Sequence, residues 1–233
     1  FDGSGDYINA ENSGIGNVGT APFTFEGWFY LTASPSNYIT IVQTRATNAS
    51  TAGFVMAISA SDFYIYSGAF FGAKGSAISS NQWYHWAYTR DSSGNVYLTG
   101  STFGFLDGNT CAGFHDFFVV KYNSSGTKQW TRQPGTSAVD SGQGINIDSS
   151  GNIYVAGVTA GSLDGNTSAG GHDLIVVKYK SSGVKQWTRQ LGTASGDYGN
   201  GITSDSSGNV YVTGVTNGGL DGNTNAGNND LFV

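Results

Sequence analysis

The stretch DSSGNIYVAGVTAGSLDGNTSAGGHDLIVVKYKSSGVKQWTRQLGTASGDYGNGITS, Asp148 to Ser204, decides the fold, because it repeats what comes before it. Asp91 to Ile147 aligns with it without a gap and is identical at 37 of 57 positions. The string DSSGN opens each unit, at Asp91–Asn95, Asp148–Asn152 and Asp205–Asn209, 57 residues apart each time. The third unit, Asp205–Val233, has 29 residues. A fixed period of this size with no insertions signals stacked or radially arranged units.

Each unit reads as four strands. Gly144–Asp148 leads into the DSSGN turn, and Ile153–Thr159 leads out of it. A polar loop, Ser162–His172, separates these from Leu174–Tyr179, the turn Lys180–Gly183, and Lys185–Gly192. Asp and Ser close the bends with side-chain hydrogen bonds, and Gly accepts the positive φ of a short hairpin. The apolar segments are short and β-branched or aromatic, as strands require. Four antiparallel strands per unit, in tandem, describe a propeller blade.

Composition agrees. Gly supplies 36 of 233 residues, charged residues only 11%, and aromatics 14%. With one Met and two Glu, the chain lacks the helix formers of a bundle or coiled coil. Three Pro exclude collagen, and the aromatic and β-branched content argues against disorder. An all-β protein rich in turns remains. The net charge of −6 and the absence of a Lys/Arg stripe exclude nucleic acid as a partner. No apolar run is long enough to span a bilayer, so membrane insertion is not expected. The lone Cys111 forms no internal disulfide. A start at Phe1 and a stop at Val233 within an apolar run read as an internal piece of a longer reading frame.

The motifs DSSGNVYVTG, LDGNTxAGxxD and SSGxKQWTRQxGT resemble the SBBP-type β-propeller repeat over residues 91–233 (91–147, 148–204 and the truncated 205–233). The resemblance implies a propeller and an extracellular or cell-surface setting. It implies no chemistry, since propellers host many functions. A closed propeller takes roughly four to eight blades, so further blades or other chains would complete it, or the blades stack openly.

The first ninety residues contain no copy of the unit but are β-like. Phe23–Leu31 alternates Phe23, Phe25, Gly27, Phe29 and Leu31 against Thr24, Glu26, Trp28 and Tyr30. Gly53–Ser59, Phe63–Ser67 and Gln82–Arg90 read as further strands. FDGSGDYI (Phe1–Ile8), FTFEGWFYL (Phe23–Leu31) and NQWYHWAYTRDSSGN (Asn81–Asn95) resemble strands of the laminin-G-like, concanavalin A-like jelly roll. Trp28 falls where such domains bury a Trp, and Trp83, His85, Ala87, Thr89 and Arg90 match the late strand. Residues 1–90 are therefore expected to form a partial jelly-roll-like β-sandwich. A whole jelly roll is longer than the roughly 90 residues before Asp91, where the sequence turns into a blade.

Catalytic chemistry finds little to work with. GIGNVG (Gly14–Gly19) fits a dinucleotide fingerprint, but Pro22 and a strand follow where a helix is needed. No GxSxG elbow occurs, and the histidines are His85, His115 and His172. His115 and His172 share one repeat position, occupied by Asn229 in the third unit, which favours a role in loop structure. Glu11, Glu26 and Asp62 do not form the paired carboxylates of a glycosidase strand.

The LDGNTxAGxxD loops are the candidate metal sites. They repeat Asp107, Asn109 and Asp116 as Asp164, Asn166 and Asp173, and as Asp221, Asn223 and Asp230. These are hard oxygen ligands and suit calcium over zinc. The same residues equally make Asp-Gly turns with the second Asp binding loop amides, and the lack of EF-hand spacing favours that reading. Cys111 is replaced by Ser168 and Asn225, so it carries no zinc or redox role.

Trp130 and Trp187 recur in KQWTRQ and read as packing between blades rather than as sugar platforms. Lys128, Arg132, Lys185 and Arg189 read as solvated edges that discourage sheet-to-sheet pairing. Three sequons, at Asn48, Asn123 and Asn166, matter only in a eukaryotic secretory route.

The sequence therefore predicts a non-enzymatic binding or adhesion segment at the outside of a cell or virion. Carbohydrate or a surface protein would be recognised by polar loops on a rigid β frame. A structural repeat spacer without a ligand is the alternative, and a glycan-cleaving enzyme comes third.

Overall fold

Short β-branched and aromatic segments punctuated by Asp-Ser-Ser-Gly turns leave no room for helices, and the computed structural model is all-β. It describes residues 23–31, 39–43, 54–58, 63–67, 69–71 and 82–233. Among these the helical turns are 3-10 turns at Leu163–Gly165 and Leu220–Gly222, and no helix is long and apolar enough to cross a membrane. The motifs at Phe1–Ile8 and Gly14–Gly19, Glu11, Asp62 and Asn48 lie outside the described residues.

Among the described residues four antiparallel sheets form. β2 (Ile39–Gln43), β3 (Phe54–Ile58), β4 (Phe63–Ser67) and β5 (Ala69–Phe71) make a meander. The first repeat-containing sheet has five strands in the order β1 (Phe23–Leu31), β6 (Gln82–Arg90), β7 (Val96–Thr102), β8 (Asp116–Tyr122) and β9 (Lys128–Arg132). The second has four consecutive strands, β10 (Asp140–Ile147), β11 (Ile153–Thr159), β12 (Asp173–Tyr179) and β13 (Lys185–Leu191). The third has β14 (Asp197–Ser204), β15 (Val210–Thr216) and β16 (Asp230–Phe232).

The sequence period and the sheets are out of phase. The DSSGN turns join β6 to β7, β10 to β11 and β14 to β15, so the unit 91–147 contributes three strands to the first sheet and β10 to the second. In the first sheet the place held by β10 in the second is taken by β6, from the jelly-roll-like segment. Its register is that of a repeat strand: Ala87 faces Thr99 and Tyr88 faces Leu98, as Gly144 faces Ala156 and Ile145 faces Val155. On its other side β6 pairs with β1 over Phe23–Leu31, so one sheet runs continuously across residue 90.

The DSSGN turns are identical in chemistry. Asp148 Oδ1 accepts the Ser150 and Asn152 amides at 2.9 and 2.8 Å, and Oδ2 accepts Asn152 Nδ2 and the Tyr154 hydroxyl. Asp91 and Asp205 repeat all four bonds. The turn therefore anchors to the second strand of its own sheet through a Tyr and needs nothing from a neighbour.

Sheets then pack face to face. The main core joins Ala87, Tyr97, Phe117 and Val119 of the first sheet to Ile145, Ile153, Val155, Ile175, Val177 and Tyr179 of the second. β11 is buried at every position because sheets cover both of its faces, whereas β15 alternates half-buried and exposed over Val210–Thr213. Close approach near the inner strands depends on glycine. β10 bulges between Gly142 and Gly144, which brings the Ser141 carbonyl oxygen against Gly157 so tightly that a Cβ on Gly157 would overlap it. The third sheet repeats the arrangement with the Tyr198 carbonyl over Gly214.

A backbone carbonyl cannot swing aside as a side chain can. Gly157→Ala is expected to cost about 2 kcal/mol or more, the range of an overpacked core, read as a lower urea midpoint. Ala at solvent-facing Gly104, where a Cβ meets nothing, should leave the midpoint within experimental error.

Candidate ligand-facing loops

The long loop between β7 and β8, between β11 and β12, and between β15 and β16 is built around a leucine, which is buried in the second and third units and half-buried in the first. In the second unit Leu163 is 1% exposed and starts a 3-10 turn. Asp164 follows in the left-handed region at φ 52, and Asp107 and Asp221 take the same conformation at φ 53. Asp tolerates this region better than most residues, yet it needs support. Asp164 receives it from an ion pair with Lys185 and a hydrogen bond from the Thr188 hydroxyl. Asp107 uses Lys128 and Thr131 identically. Burial pushes both carboxyls up, but the Lys and Thr hydrogen bonds outweigh it and hold both below the usual carboxylate range.

The remaining candidate ligands face elsewhere. Asn109, Asn166 and Asn223 donate their Nδ2 to the carbonyls of Leu106, Leu163 and Leu220 at 2.7, 2.8 and 3.0 Å. Asp116 Oδ2 accepts the Ala112 amide and Gln133 Nε2, and Asp173 Oδ2 accepts the Ala169 amide and Gln190 Nε2. Asp230 accepts the Ala226 amide at 2.6 Å. The first Asp of each complete loop thus turns to the outer strand and the second to the loop's own backbone. Among the described residues no three His, Cys, Asp or Glu side chains gather as a metal-binding group. The buried Oδ1 atoms of Asp116 and Asp173 have no hydrogen-bond partner, and they face Gly135 and Gly192.

Gln133 and Gln190 are functional to the loop and were not singled out from the sequence. Gln190 accepts the Leu163 amide at 3.0 Å and donates to the Gly161 carbonyl at 2.8 Å and to Asp173 at 2.7 Å. Gln133 repeats this with Leu106, Gly104 and Asp116. One amide side chain therefore ties both ends of the loop to the outer strand. Its recurrence within KQWTRQ was the available signal.

The loop histidines and cysteine are held structurally. The His172 ring stacks on Tyr198, and the His172 carbonyl accepts the Asp197 amide at 2.7 Å. His115 lies 3.5 Å from the Phe103 ring, and its carbonyl accepts the Asp140 amide. Burial lowers the His115 pKa, with nearby Asp116 opposing. Cys111 Sγ bonds the Gly113 carbonyl just as Ser168 Oγ bonds that of Gly170. Of the basic residues expected as solvated edges, Lys128, Lys185 and Arg189 are exposed, with Lys128 and Lys185 also holding Asp107 and Asp164, while Arg132 is half-buried and reaches the neighbouring sheet.

Against this shared frame the first loop differs in one respect. Phe103, Phe105 and Phe114 are 54%, 76% and 74% exposed. The same positions are Ala160, Ser162 and Gly171 in the second unit, and Asn217, Gly219 and Asn228 in the third. Phe103 packs on His115, yet the second and third units build the same loop with no aromatic at any of the three positions.

Comparison with known proteins gives two family matches. The family described as Beta-propeller repeat matches residues 129–164 and 186–221, and the Concanavalin A-like lectin/glucanases superfamily matches residues 2–110. The chain carries SBBP-type propeller repeats after a concanavalin A-like segment. It is 26% identical over 126 residues to an uncharacterized WD repeat-containing protein of Acanthamoeba polyphaga mimivirus, covering 47% of this chain and 9% of that protein. It is 28% identical over 143 residues to the regulatory protein FlaEY of Caulobacter vibrioides, covering 55% of this chain and 15% of that protein. The chain thus spans a small fraction of these relatives. The likenesses point to a non-enzymatic binding or repeat protein.

The depressed carboxyls set an acid dependence. Their contribution is present above the unfolded-state value near 3.9 and is lost as pH falls through the lower folded-state values. Each ion pair is about one-third exposed, so its worth is at most ~1 kcal/mol. Asp107→Asn with Asp164→Asn should flatten the stability profile below about pH 4, measured by urea unfolding at stepped pH. An unchanged profile would place the acid sensitivity elsewhere.

Proposed function

We propose that this chain is a surface-displayed binding segment whose contact face is the Phe103–His115 loop, and that its ligand class is carbohydrate. The observation that carries the reading is the trio Phe103, Phe105 and Phe114. Exposed apolar area of this kind is costly to leave in water and marks interaction surfaces. Aromatic faces stack against the C–H faces of sugar rings, and the neighbouring Asp, Asn and Gly of the loop supply polar contacts. The concanavalin A-like match over residues 2–110 supports the same class, since it includes this loop up to Thr110. The setting that fits is the exterior of a cell or virion.

Calcium in the Asp-Gly loops is a second reading. It is favoured by the unpartnered buried oxygens on Asp116 and Asp173.

A glycan array with and without added Ca²⁺ tests both. Binding is expected, and Phe103→Ala, Phe105→Ser and Phe114→Gly together should weaken it at least tenfold. Those residues already occupy the second unit's loop, so the melting temperature should hold. Binding unaffected by the triple change would remove this face. Silence under both conditions would leave the spacer reading, and binding independent of Ca²⁺ would remove calcium.

A further inference from the structure

His115 and His172 hold one repeat position, yet their rings are covered from different sides. The His172 ring stacks at 5.5 Å on Tyr198, which belongs to β14 in the next sheet. The counterpart of Tyr198 one unit earlier is Ser141, so β10 offers His115 no such ring. The cover of His115 is Phe103, with ring centroids 3.5 Å apart at 48°. The counterpart of Phe103 in the second unit is Ala160. The aromatic partner therefore belongs to the packed junction in one copy and to the open loop in the other, where Phe103 is itself more than half exposed.

The His115 imidazole is half-buried, and neither ring nitrogen has a hydrogen-bond partner among the described residues. Burial holds its pKa below the ordinary histidine value, with Asp116 opposing. At neutral pH the ring is thus uncharged and offers one donor and one acceptor. The charged groups around it are acidic or already paired. Asp116 Oδ2 accepts the Ala112 amide and Gln133 Nε2, and Asp140 is held by Thr136 and Thr159. Asp107 pairs with Lys128, while Lys121 and Arg132 reach away to the Ser181 and Gly183 carbonyls of the second sheet.

We propose that His115 selects the ligand of the aromatic face, and that this ligand is an uncharged sugar whose ring stacks on the phenylalanines and whose hydroxyl bonds the imidazole. The inference rests on the carbohydrate reading above and narrows it. A stacked hexose carries hydroxyls at its rim, and a neutral imidazole can meet a hydroxyl as donor or as acceptor. A uronate would bring a carboxylate towards Asp107 and Asp116 with no spare cation to receive it, and like charges reject it.

The test uses immobilised glycans in pairs that differ at one carbon, glucose against glucuronate and galactose against galacturonate. Near neutral pH the neutral member should bind at least about fivefold more tightly. His115→Asn gives the first loop the residue that Asn229 supplies in the third, so the melting temperature should hold. Binding of the neutral member should then fall at least about threefold, as for one lost hydrogen bond. His115→Gln, with a longer amide, should restore most of it. Wild-type binding should weaken as pH falls below about 6.5, because the protonated ring has no acceptor, and the preference over the uronate should narrow with it. In His115→Gln both should stay level. A pH profile shared by wild type and His115→Gln would assign the titration to another group, such as buried Asp140, and overturn the role of His115. Uronates bound as tightly as their neutral partners near neutral pH would overturn it too. If binding in either case still depends on Phe103, Phe105 and Phe114, the carbohydrate reading stands without His115. Silence across neutral and acidic glycans alike removes both.

Discussion

Asp140 and Asp197 are the points on which the stacking of sheets depends. Each is fully buried at the start of an inner strand. Asp140 accepts the amide and hydroxyl of Thr136, at 2.6 and 3.0 Å, and the hydroxyl of Thr159. Asp197 does the same with Thr193 and Thr216. Thr136 lies on the connection from the previous sheet, and Thr159 on the second strand of the next. The backbone amide of Asp140 meanwhile donates to the His115 carbonyl of the previous sheet's loop. One residue thus fixes where a chain leaves one sheet, where it enters the next, and how far apart the two sit. Burial raises the Asp140 pKa despite those donors, so solvation lost is not fully recovered. Such a group persists because no apolar side chain could satisfy three donors at once.

Much of the frame was readable from short-range pattern. β1, β4, β6 and β11 match the alternating or β-branched runs residue for residue, and the DSSGN turn follows from side-chain chemistry local to five residues. What pattern did not show were relations between units. The strand that precedes β7 in the first sheet is Gln82–Arg90, whose sequence shares almost nothing with Asp140–Ile147. Backbone pairing over Ala87–Arg90 nonetheless gives it the register of Gly144–Ile147. Hydrogen bonding between main chains is blind to side-chain identity, so identity could not reveal it.

The loops show the same division. Asp164 and Asp173 were noticed as acidic residues in glycine-rich surroundings, a pattern that turns and cation sites share. Only distances separate the two, and here the distances lead to Lys185, Thr188, Gln190 and the Ala169 amide. Arg132 looked like a surface charge because its partner, the Gly183 carbonyl, lies in the next unit. The phenylalanines of the first loop stood out for the opposite reason: with the frame accounted for, they are what the frame does not use.

The offset between period and sheet has a consequence for how such chains change length. Because every unit lends its last strand to the following sheet, an in-frame duplication or loss of 57 codons keeps each Asp–Thr lock intact wherever the breakpoints fall. Unequal exchange between gene copies can then add or remove a whole sheet without inventing a new contact surface. The strand before the first unit stands outside such exchange, and there β6 shares the pairing of a repeat strand without its sequence.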